Sequence, residues 1–163
     1  MTAIYTIGYE GSDIDRFIAV LKAVRIKTLA DVRAVAVSRK KGFSKTVLSS
    51  RLREEGVEYL HFMALGDPRE GREAARSGRY DDFRRIYSKH LSESKVKLAL
   101  NDLEQTAQRT STCLLCFERD PKHCHRSLIA SEMKVFEKEV FDLYCDPSNS
   151  YFHASQLPHS HTR

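Results

Sequence analysis

The sequence predicts an α/β domain with a mostly parallel sheet and helices on both of its faces. The 163 residues suit one domain with its own core. Hydrophobic residues make up 41% and charged residues 30%, which is the composition of a folded domain. Short apolar runs alternate with helical periodicity, as in β-α-β units. We expect about five strands in the order 3-2-1-4-5 over residues 1–147, followed by a tail at 148–163 that is flexible or ordered by a partner.

The first third of the chain alternates strands and helices with short connections. β-branched apolar runs predict buried strands, and apolar residues 3.6 positions apart predict amphipathic helices. Glycines supply the stops, as in the GYEG turn at 8–11. In order, the predicted elements are a strand at 3–7, a helix at 14–24, a strand at 26–32, a helix from the cap Ser44 to Arg53 and a strand at 57–62.

The rest of the chain opens with a helical region before the strand pattern returns. Residues 69–107 have helical composition throughout, and Gly78 and the serines at 92 and 94 predict joints between two or three helices. The predicted elements that follow are a strand at 112–117, a helix over about 124–137 and a strand at 140–144.

Basic residues exceed acidic ones by 27 to 22, which permits an anionic partner such as a nucleotide or nucleic acid. Loop 39–45 combines four basic residues with Phe43, which fits either a phosphate track with a stacking ring or a solvated loop. The arginines between 69 and 85 alternate with acids and indicate a solvated helical face. Apolar runs stay short of the ~20 residues of a membrane span, and the start lacks a secretory pattern, so we expect a cytoplasmic protein.

Polar residues follow three of the predicted strands, at the edge where open parallel sheets bind ligands. Gly8, Tyr9 and Glu10 follow the first strand, and Asp31 and Arg33 end the second. A long polar segment at 118–127 follows the fourth strand. These segments predict one shared crevice.

The triplet Cys124, His125 and Arg126 is placed by the pattern at a helix N-terminus. Free N–H groups and the helix dipole favour an anion there and lower the pKa of a thiol. We expect Arg126 to bind a phosphate or carboxylate through paired N–H donors. Cys124 is expected to act as a nucleophile and His125 as an acid or base. The alternative is a buried cysteine, a capping histidine and a surface arginine.

The four cysteines, at 113, 116, 124 and 145, raise metal or thiol chemistry. Zinc on Cys113, Cys116, Cys124 and His125 is disfavoured, because residues three apart in a strand face opposite sides. A smaller metal site and a reversible Cys116–Cys124 disulfide remain open.

The other candidates each carry two interpretations. Asp31 and Arg33 either face the crevice or lock the loop to the sheet. Glu10 and Glu118 form an acid–base pair or pair with arginines. Tyr9 stacks on a ligand or packs within its loop, and Ser38 stands beside the basic loop as a ligand contact.

Four blocks of the sequence together resemble a known family. They are TIGYEG at 6–11, DVR at 31–33 with Ser38 and Phe43-Ser44 after it, GVEY at 56–59 leading to Leu65-Gly66, and LCFERDP at 115–121 ending in CHRS at 124–127. Their order and spacing resemble the domain-of-unknown-function 488 family over residues 3–145. The resemblance implies a small cytosolic α/β protein of prokaryotic type and no settled reaction. The family's motif positions fall on Gly8, Glu10, Asp31, Arg33, Cys116, Glu118, Cys124, His125 and Arg126.

The sequence therefore predicts a polar pocket that binds a phosphate-bearing or other anionic ligand. Ligand contacts are expected from Gly8, Tyr9, Asp31, Arg33, Ser38, Cys116 and Arg126. Catalytic roles are expected from Cys124, His125, Glu118 and Glu10. A nucleic-acid-binding module on loop 39–45 and a thiol-redox or metal site at Cys116 and Cys124 are the alternatives. The cofactor, the oligomeric state and the occurrence of turnover stay open.

Overall fold

A five-stranded, all-parallel sheet organises the computed structural model, which describes residues 2–135 and 137–145. Its strands are β1 (Thr2–Gly8), β2 (Thr28–Asp31), β3 (Glu58–His61), β4 (Thr112–Cys116) and β5 (Lys138–Leu143). Its helices are α1 (Ile14–Ala23), α2 (Lys45–Glu54), α3 (Arg69–Arg76), α4 (Tyr80–Leu91), α5 (Ser94–Arg109) and α6 (His125–Glu132), and short 3₁₀ turns lie at Met63–Leu65 and Pro121–His123. The α/β class is confirmed, while the tail at 148–163 lies outside the described residues.

The strand order is β3-β2-β4-β1-β5, so the predicted order 3-2-1-4-5 is corrected by exchanging β1 and β4. All five residues of β4 are buried, whereas β1 begins with two half-buried residues. The fully buried segment TCLLC therefore takes the central place, because a central strand is covered on both faces. β1 and β4 remain neighbours, paired from Ile4 opposite Thr112 to Gly8 opposite Cys116.

Two apolar cores lie on opposite faces of the sheet. One joins the sheet to α3, α4, α5 and α6 and includes Phe83, Tyr87 and Cys116. The other joins it to α1 and α2 and includes Phe17 and Cys113. The predicted divergence of Cys113 and Cys116 along their strand is confirmed.

The helical region at 69–107 forms three helices, and Gly78 takes the positive φ of +74° that ends α3. α6 is shorter than predicted, because it ends at Glu132 instead of continuing to about 137. The Nζ of Lys138 donates hydrogen bonds to the carbonyls of Ala130, Ser131 and Met133 and thereby satisfies the end of the helix.

Among the described residues, no helix has both the length and the apolar character that a membrane crossing requires.

Candidate functional site

A cavity of about 530 Å³ opens at the carboxyl ends of β1, β2 and β4. The segments that follow these three strands all contribute to it, as the sequence predicted. α3 and the first residue of α4 close the opposite side. The charged or polar residues that line it are Tyr9, Glu10, Arg33, Asp67, Arg72, Arg76, Tyr80, Cys116, Glu118, Asp120, His123 and His125.

One of two bonded cysteines lines the cavity, and the other lies next to it. Cys116 ends β4 and lines the cavity, and Cys124 is the N-cap residue of α6. A disulfide joins them across eight positions of sequence, and each residue is 1% exposed. Cys113 and Cys145 are buried and take no part in this disulfide. The open alternative of a Cys116–Cys124 disulfide is thus the state that the structure shows.

Arg126 lies in the interior instead of facing a ligand, and it is 0% exposed. Its Nε donates to Thr6 Oγ1 at 3.1 Å and its Nη2 to the carbonyl of Arg119 at 3.0 Å. Its Nη1 donates to the carbonyl of Glu118 and to Cys116 Sγ, the latter at 2.8 Å. Because these donors bond acceptors within the protein, Arg126 holds the 118–119 loop and one sulfur atom in place, and its predicted contact with an anion stays a prediction.

His125 is buried beside the other sulfur atom. Its Nε2 lies 2.6 Å from the carbonyl of Val32, and its Nδ1 lies 3.7 Å from Cys124 Sγ. A carbonyl only accepts, so Nε2 carries the proton and Nδ1 turns its lone pair toward the sulfur atom. Burial lowers the pKa of His125 to about 4, despite the hydrogen bond to Val32. His125 is therefore neutral at physiological pH, and its unprotonated Nδ1 faces Cys124 Sγ.

Glu118 and Glu10 both border the cavity but do different things. Glu118 Oε2 lies 3.4 Å from Cys116 Sγ, and burial raises the pKa of its carboxyl group. Glu10 is exposed, and its Oε1 accepts a hydrogen bond from the backbone N–H of Arg119 at 3.0 Å. Glu118 is thus the carboxyl group next to the sulfur atoms, and Glu10 holds the loop.

Gly8 serves this arrangement through its lack of a side chain. A Cβ at that position would lie 1.7 Å from the carbonyl oxygen of Glu118. The close crossing of β1 and the 118–119 loop requires glycine there, so packing accounts for Gly8, and its predicted ligand contact stays a prediction.

Asp31 and Arg33 form a lock between loop and sheet. Arg33 Nε and Nη2 donate to the two carboxylate oxygens of Asp31 at 2.9 and 2.7 Å. Nη1 donates to the carbonyl of Phe43 at 2.7 Å and to Tyr9 Oη at 3.2 Å. Burial alone would lower the pKa of Arg33, but the hydrogen bonds and charge of Asp31 outweigh it and raise the pKa. Of the two open interpretations, the structural lock describes Asp31, while Arg33 also borders the cavity.

The basic loop lacks the free ring that nucleic-acid stacking needs. Phe43 is fully buried and stacks on Tyr9, with ring centroids 4.4 Å apart. Ser38 lies outside the cavity lining and bonds within its loop, where its N–H donates to Ser44 Oγ at 3.0 Å. Of the two interpretations of this loop, the burial of Phe43 disfavours the stacking ring, while the predicted Ser38 ligand contact stays a prediction.

The sequence patterns did not predict several residues of the cavity lining. Asp67, Arg72, Arg76, Tyr80 and His123 all line it. Arg72 and Arg76 are four residues apart on α3, which places them on one face of that helix. The i, i+4 spacing of these two arginines was the available signal. The acidic residues among the arginines of 69–85 instead favoured a solvent-exposed helix face.

Asp67 is a buried carboxylic acid without a partner among the described residues. It is 6% exposed, and its Oδ1 accepts no hydrogen bond. Burial, and next the charge of Glu118, raise its pKa to about 7, although Arg72 opposes the rise. Asp67 therefore changes charge near physiological pH.

We expect Asp67→Asn to stabilise the protein at pH 8 by about 1–2 kcal/mol. The folded-state pKa of about 7 lies above the ordinary 3.8, so stability is lost as the pH rises between these values. Asparagine removes this loss. Urea unfolding of both proteins at pH 8 and pH 5 measures it, and an equal destabilisation at both pH values would contradict the assignment.

Among residues 2–135 and 137–145, one group has the composition and spacing to hold a metal ion. The donor atoms of Cys116, Glu118 and Cys124 lie within 4.8 Å of one another. Two thiolates and a carboxylate suit a thiophilic cation such as Zn²⁺ once the disulfide is reduced.

No curated protein and no solved structure matches the chain. A protein-family model described as "Domain of unknown function DUF488" matches residues 13–133, which cover both cysteines of the disulfide and all the cavity residues except those that follow β1. Because this match spans more than half of the 163 residues, the chain belongs to the DUF488 family.

Proposed function

We propose that the cavity is the active site of a thiol–disulfide enzyme for small anionic substrates. The observation that carries this proposal is a disulfide whose Cys116 lines a cavity that three arginines also line. Cys116 contributes to the cavity lining, so it offers the sulfur atom that a substrate reaches. Cys124 lies behind it as the resolving cysteine.

The reaction balances with a low-molecular-weight thiol, RSH, and a substrate disulfide. The thiolate RS⁻ attacks Cys116 Sγ, which forms a mixed disulfide, breaks the Cys116–Cys124 bond and releases Cys124, which takes up the proton lost by RSH. A second RS⁻ attacks the R-group sulfur of this mixed disulfide, RSSR leaves, and Cys116 is released as the thiolate, so that two electrons have passed to the protein. The reduced pair then reduces a substrate disulfide to two thiols and closes again.

The surroundings of the two sulfur atoms differ in a way that suits these roles. The Arg126 guanidinium donates to Cys116 Sγ and favours a thiolate there. The lone pair of His125 Nδ1 faces Cys124 Sγ and favours a thiol that donates its proton. Cys116 is therefore the nucleophile of the reduced protein, with Glu118 beside it as proton carrier. Cys124, the nucleophile that the sequence predicted, becomes the resolving residue.

Arg72 and Arg76 supply the affinity for anions in this proposal. Arg72 is half-buried and Arg76 exposed, and both line the cavity opposite the sulfur atoms. They take the place of Arg33 and Arg126, whose hydrogen bonds are made within the protein. A carboxylate or phosphate held there brings the rest of a small ligand over Cys116.

The test is turnover of a small anionic disulfide by the full chain with a thiol reductant in excess. We expect Cys116→Ser to abolish turnover, because it removes the nucleophile. Cys124→Ser is expected to lower turnover without abolishing it, because the mixed disulfide on Cys116 is then resolved only by external thiol. Arg72→Ala with Arg76→Ala is expected to lower kcat/KM by roughly tenfold for anionic substrates alone. Cys113→Ser is the matched control on the same strand and keeps full turnover.

Turnover that survives Cys116→Ser would refute this function. Stoichiometric metal in protein purified without chelator, with thiols that resist oxidation, would assign Cys116, Glu118 and Cys124 to a metal site instead.

Binding of nucleic acid by loop 39–45 is the remaining alternative. It is supported by exposed basic side chains at Arg39, Lys41 and Lys45. Mobility shift across a salt series decides it, because contacts with phosphate give a negative slope of log affinity against log salt. With Phe43 buried, we expect only weak, salt-sensitive binding.

A further inference from the structure

Asp67 adds a buried acidic group to a cavity of mixed charge, whose lining also includes Arg33, Arg72 and Arg76. Asp67 lies between the 3₁₀ turn that follows β3 and the N-terminus of α3. Gly66 before it packs against Ala34, where a Cβ would come within 2.2 Å of the Ala34 Cα. This tight crossing places the Asp67 side chain against the wall of the cavity.

The fold offers Asp67 no internal partner among the described residues. α3 begins after Pro68 without a side-chain cap, so Asp67 does not cap that helix. The donors of α4 that face this segment are used elsewhere, since Tyr87 Oη donates to the carbonyl of Leu65 and His90 Nε2 lies 2.8 Å from the carbonyl of Ala64. Arg72 acts on Asp67 only through its charge. The buried Oδ1 of this carboxyl group, in a residue that is 6% exposed, is left without a hydrogen bond, which is costly unless a ligand supplies one.

Helix α3 has a glycine where it packs against Asp67, although glycine is unfavourable inside a helix. Gly71 lies inside α3 with an ordinary backbone, so its φ does not require glycine. A Cβ there would lie 2.1 Å from Asp67 Oδ1. A glycine within a helix is less favourable than alanine, so the chain keeps a destabilising residue where alanine would displace this carboxyl group.

We infer that the ligand of this cavity is zwitterionic: Asp67 receives an ammonium group while Arg72 and Arg76 receive the anionic group. This inference rests on the proposed function and names its substrate class, a small thiol or disulfide of the amino-acid type. An ammonium group supplies the missing donors and balances the charge of the buried carboxylate. Glu118 stands on the same side and adds to the attraction for a cation.

The test measures binding without redox turnover, with matched probes that carry no reactive sulfur atom. S-methylcysteine carries both charges, 3-(methylthio)propionate carries only the carboxylate, and 2-(methylthio)ethylamine carries only the ammonium group. Calorimetry on the full chain at pH 8 is expected to show S-methylcysteine binding roughly 10- to 100-fold more tightly than 3-(methylthio)propionate. Asp67→Asn is expected to remove that preference and leave 3-(methylthio)propionate binding unchanged.

Two further variants separate recognition from folding. Gly71→Ala displaces the carboxyl group without removing it and is expected to weaken S-methylcysteine binding as well. Glu70→Gln removes an exposed acid from the same helix and leaves binding unchanged. Equal affinity for S-methylcysteine and 3-(methylthio)propionate, or a preference that survives Asp67→Asn, overturns the inference. If the preference holds but no disulfide is turned over, the proposed function fails while the zwitterion site stands.

Discussion

Arg126→Ala is expected to lower the free energy of unfolding by about 3–5 kcal/mol. The substitution removes the donors that satisfy the carbonyls of Glu118 and Arg119 and the hydroxyl of Thr6, and it leaves a cavity in the core. Denaturant unfolding of reduced and oxidised protein measures the loss. The loop that carries Glu118 loses its anchor, so the reactivity of Cys116 is expected to change with it.

Two variants sharpen this prediction. Arg84→Ala breaks a surface pair with Asp81 on α4 and is expected to cost less than about 1 kcal/mol. Arg126→Lys keeps the charge but has only one nitrogen to replace a fork that bonds four acceptors, so it recovers only part of the stability. A loss below about 1 kcal/mol for Arg126→Ala would show that the interior hydrogen bonds are not needed.

Asp31→Ala is expected to be the second severe substitution, with a cost of about 3–5 kcal/mol. Asp31 is 0% exposed and holds Arg33 through two hydrogen bonds, and Tyr59 Oη donates to it from β3. Removing it leaves the Arg33 guanidinium buried without its counter-charge. Thermal and denaturant unfolding give the magnitude, and the hydrogen exchange of residues 33–43 reports whether the loop opens first.

The surface pair of Asp15 and Arg51 provides the comparison for this lock. Its nitrogen and oxygen atoms lie 2.9 Å apart, but the Asp15 side chain is 80% exposed, so Asp15→Ala is expected to cost less than about 1 kcal/mol. The double variant Asp31→Asn with Arg33→Met removes both charges and is expected to be milder than Asp31→Ala alone. Equal costs for the buried and the surface pair would contradict the lock.

Elements with strong local patterns were predictable from the sequence. The amphipathic spacing of α1 and the apolar runs of β1 and β4 identify these elements from residues that are close in the sequence. The order of the central strands was not predictable in the same way, because β1 and β4 are both apolar enough for an interior position. The choice between them depends on how far each is covered by helices, which is a property of the whole fold.

The location of the cavity was predictable, but the placement of the arginines around it was not. Parallel strands place their carboxyl ends together, so the segments after β1, β2 and β4 had to meet. Arginine is rarely buried, and nothing local indicates that Arg126 turns inward beneath β1. Arg72 and Arg76 belong to a helix whose alternating charges resemble a solvated face, and they border a cavity only because α3 packs across the strand ends.

Asp67 lies where two local preferences are violated, namely that buried polar atoms are hydrogen-bonded and that helices avoid glycine. An unpartnered carboxyl group and a glycine inside α3 both reduce stability, and the two features occur at one place. Conflicts between local preference and the observed structure concentrate at functional sites. The expected stabilisation by Asp67→Asn together with the expected loss of zwitterion binding would express that conflict as a trade-off between stability and function.

The most direct test of the central claim is to equilibrate the full chain in buffers of graded thiol–disulfide ratio and to map every cysteine by alkylation and mass spectrometry. We predict that Cys116 and Cys124 change state together as one two-electron couple, while Cys113 and Cys145 stay reduced and slow to react. Independent modification of Cys116 and Cys124, or their failure to pair in any buffer, would contradict the account.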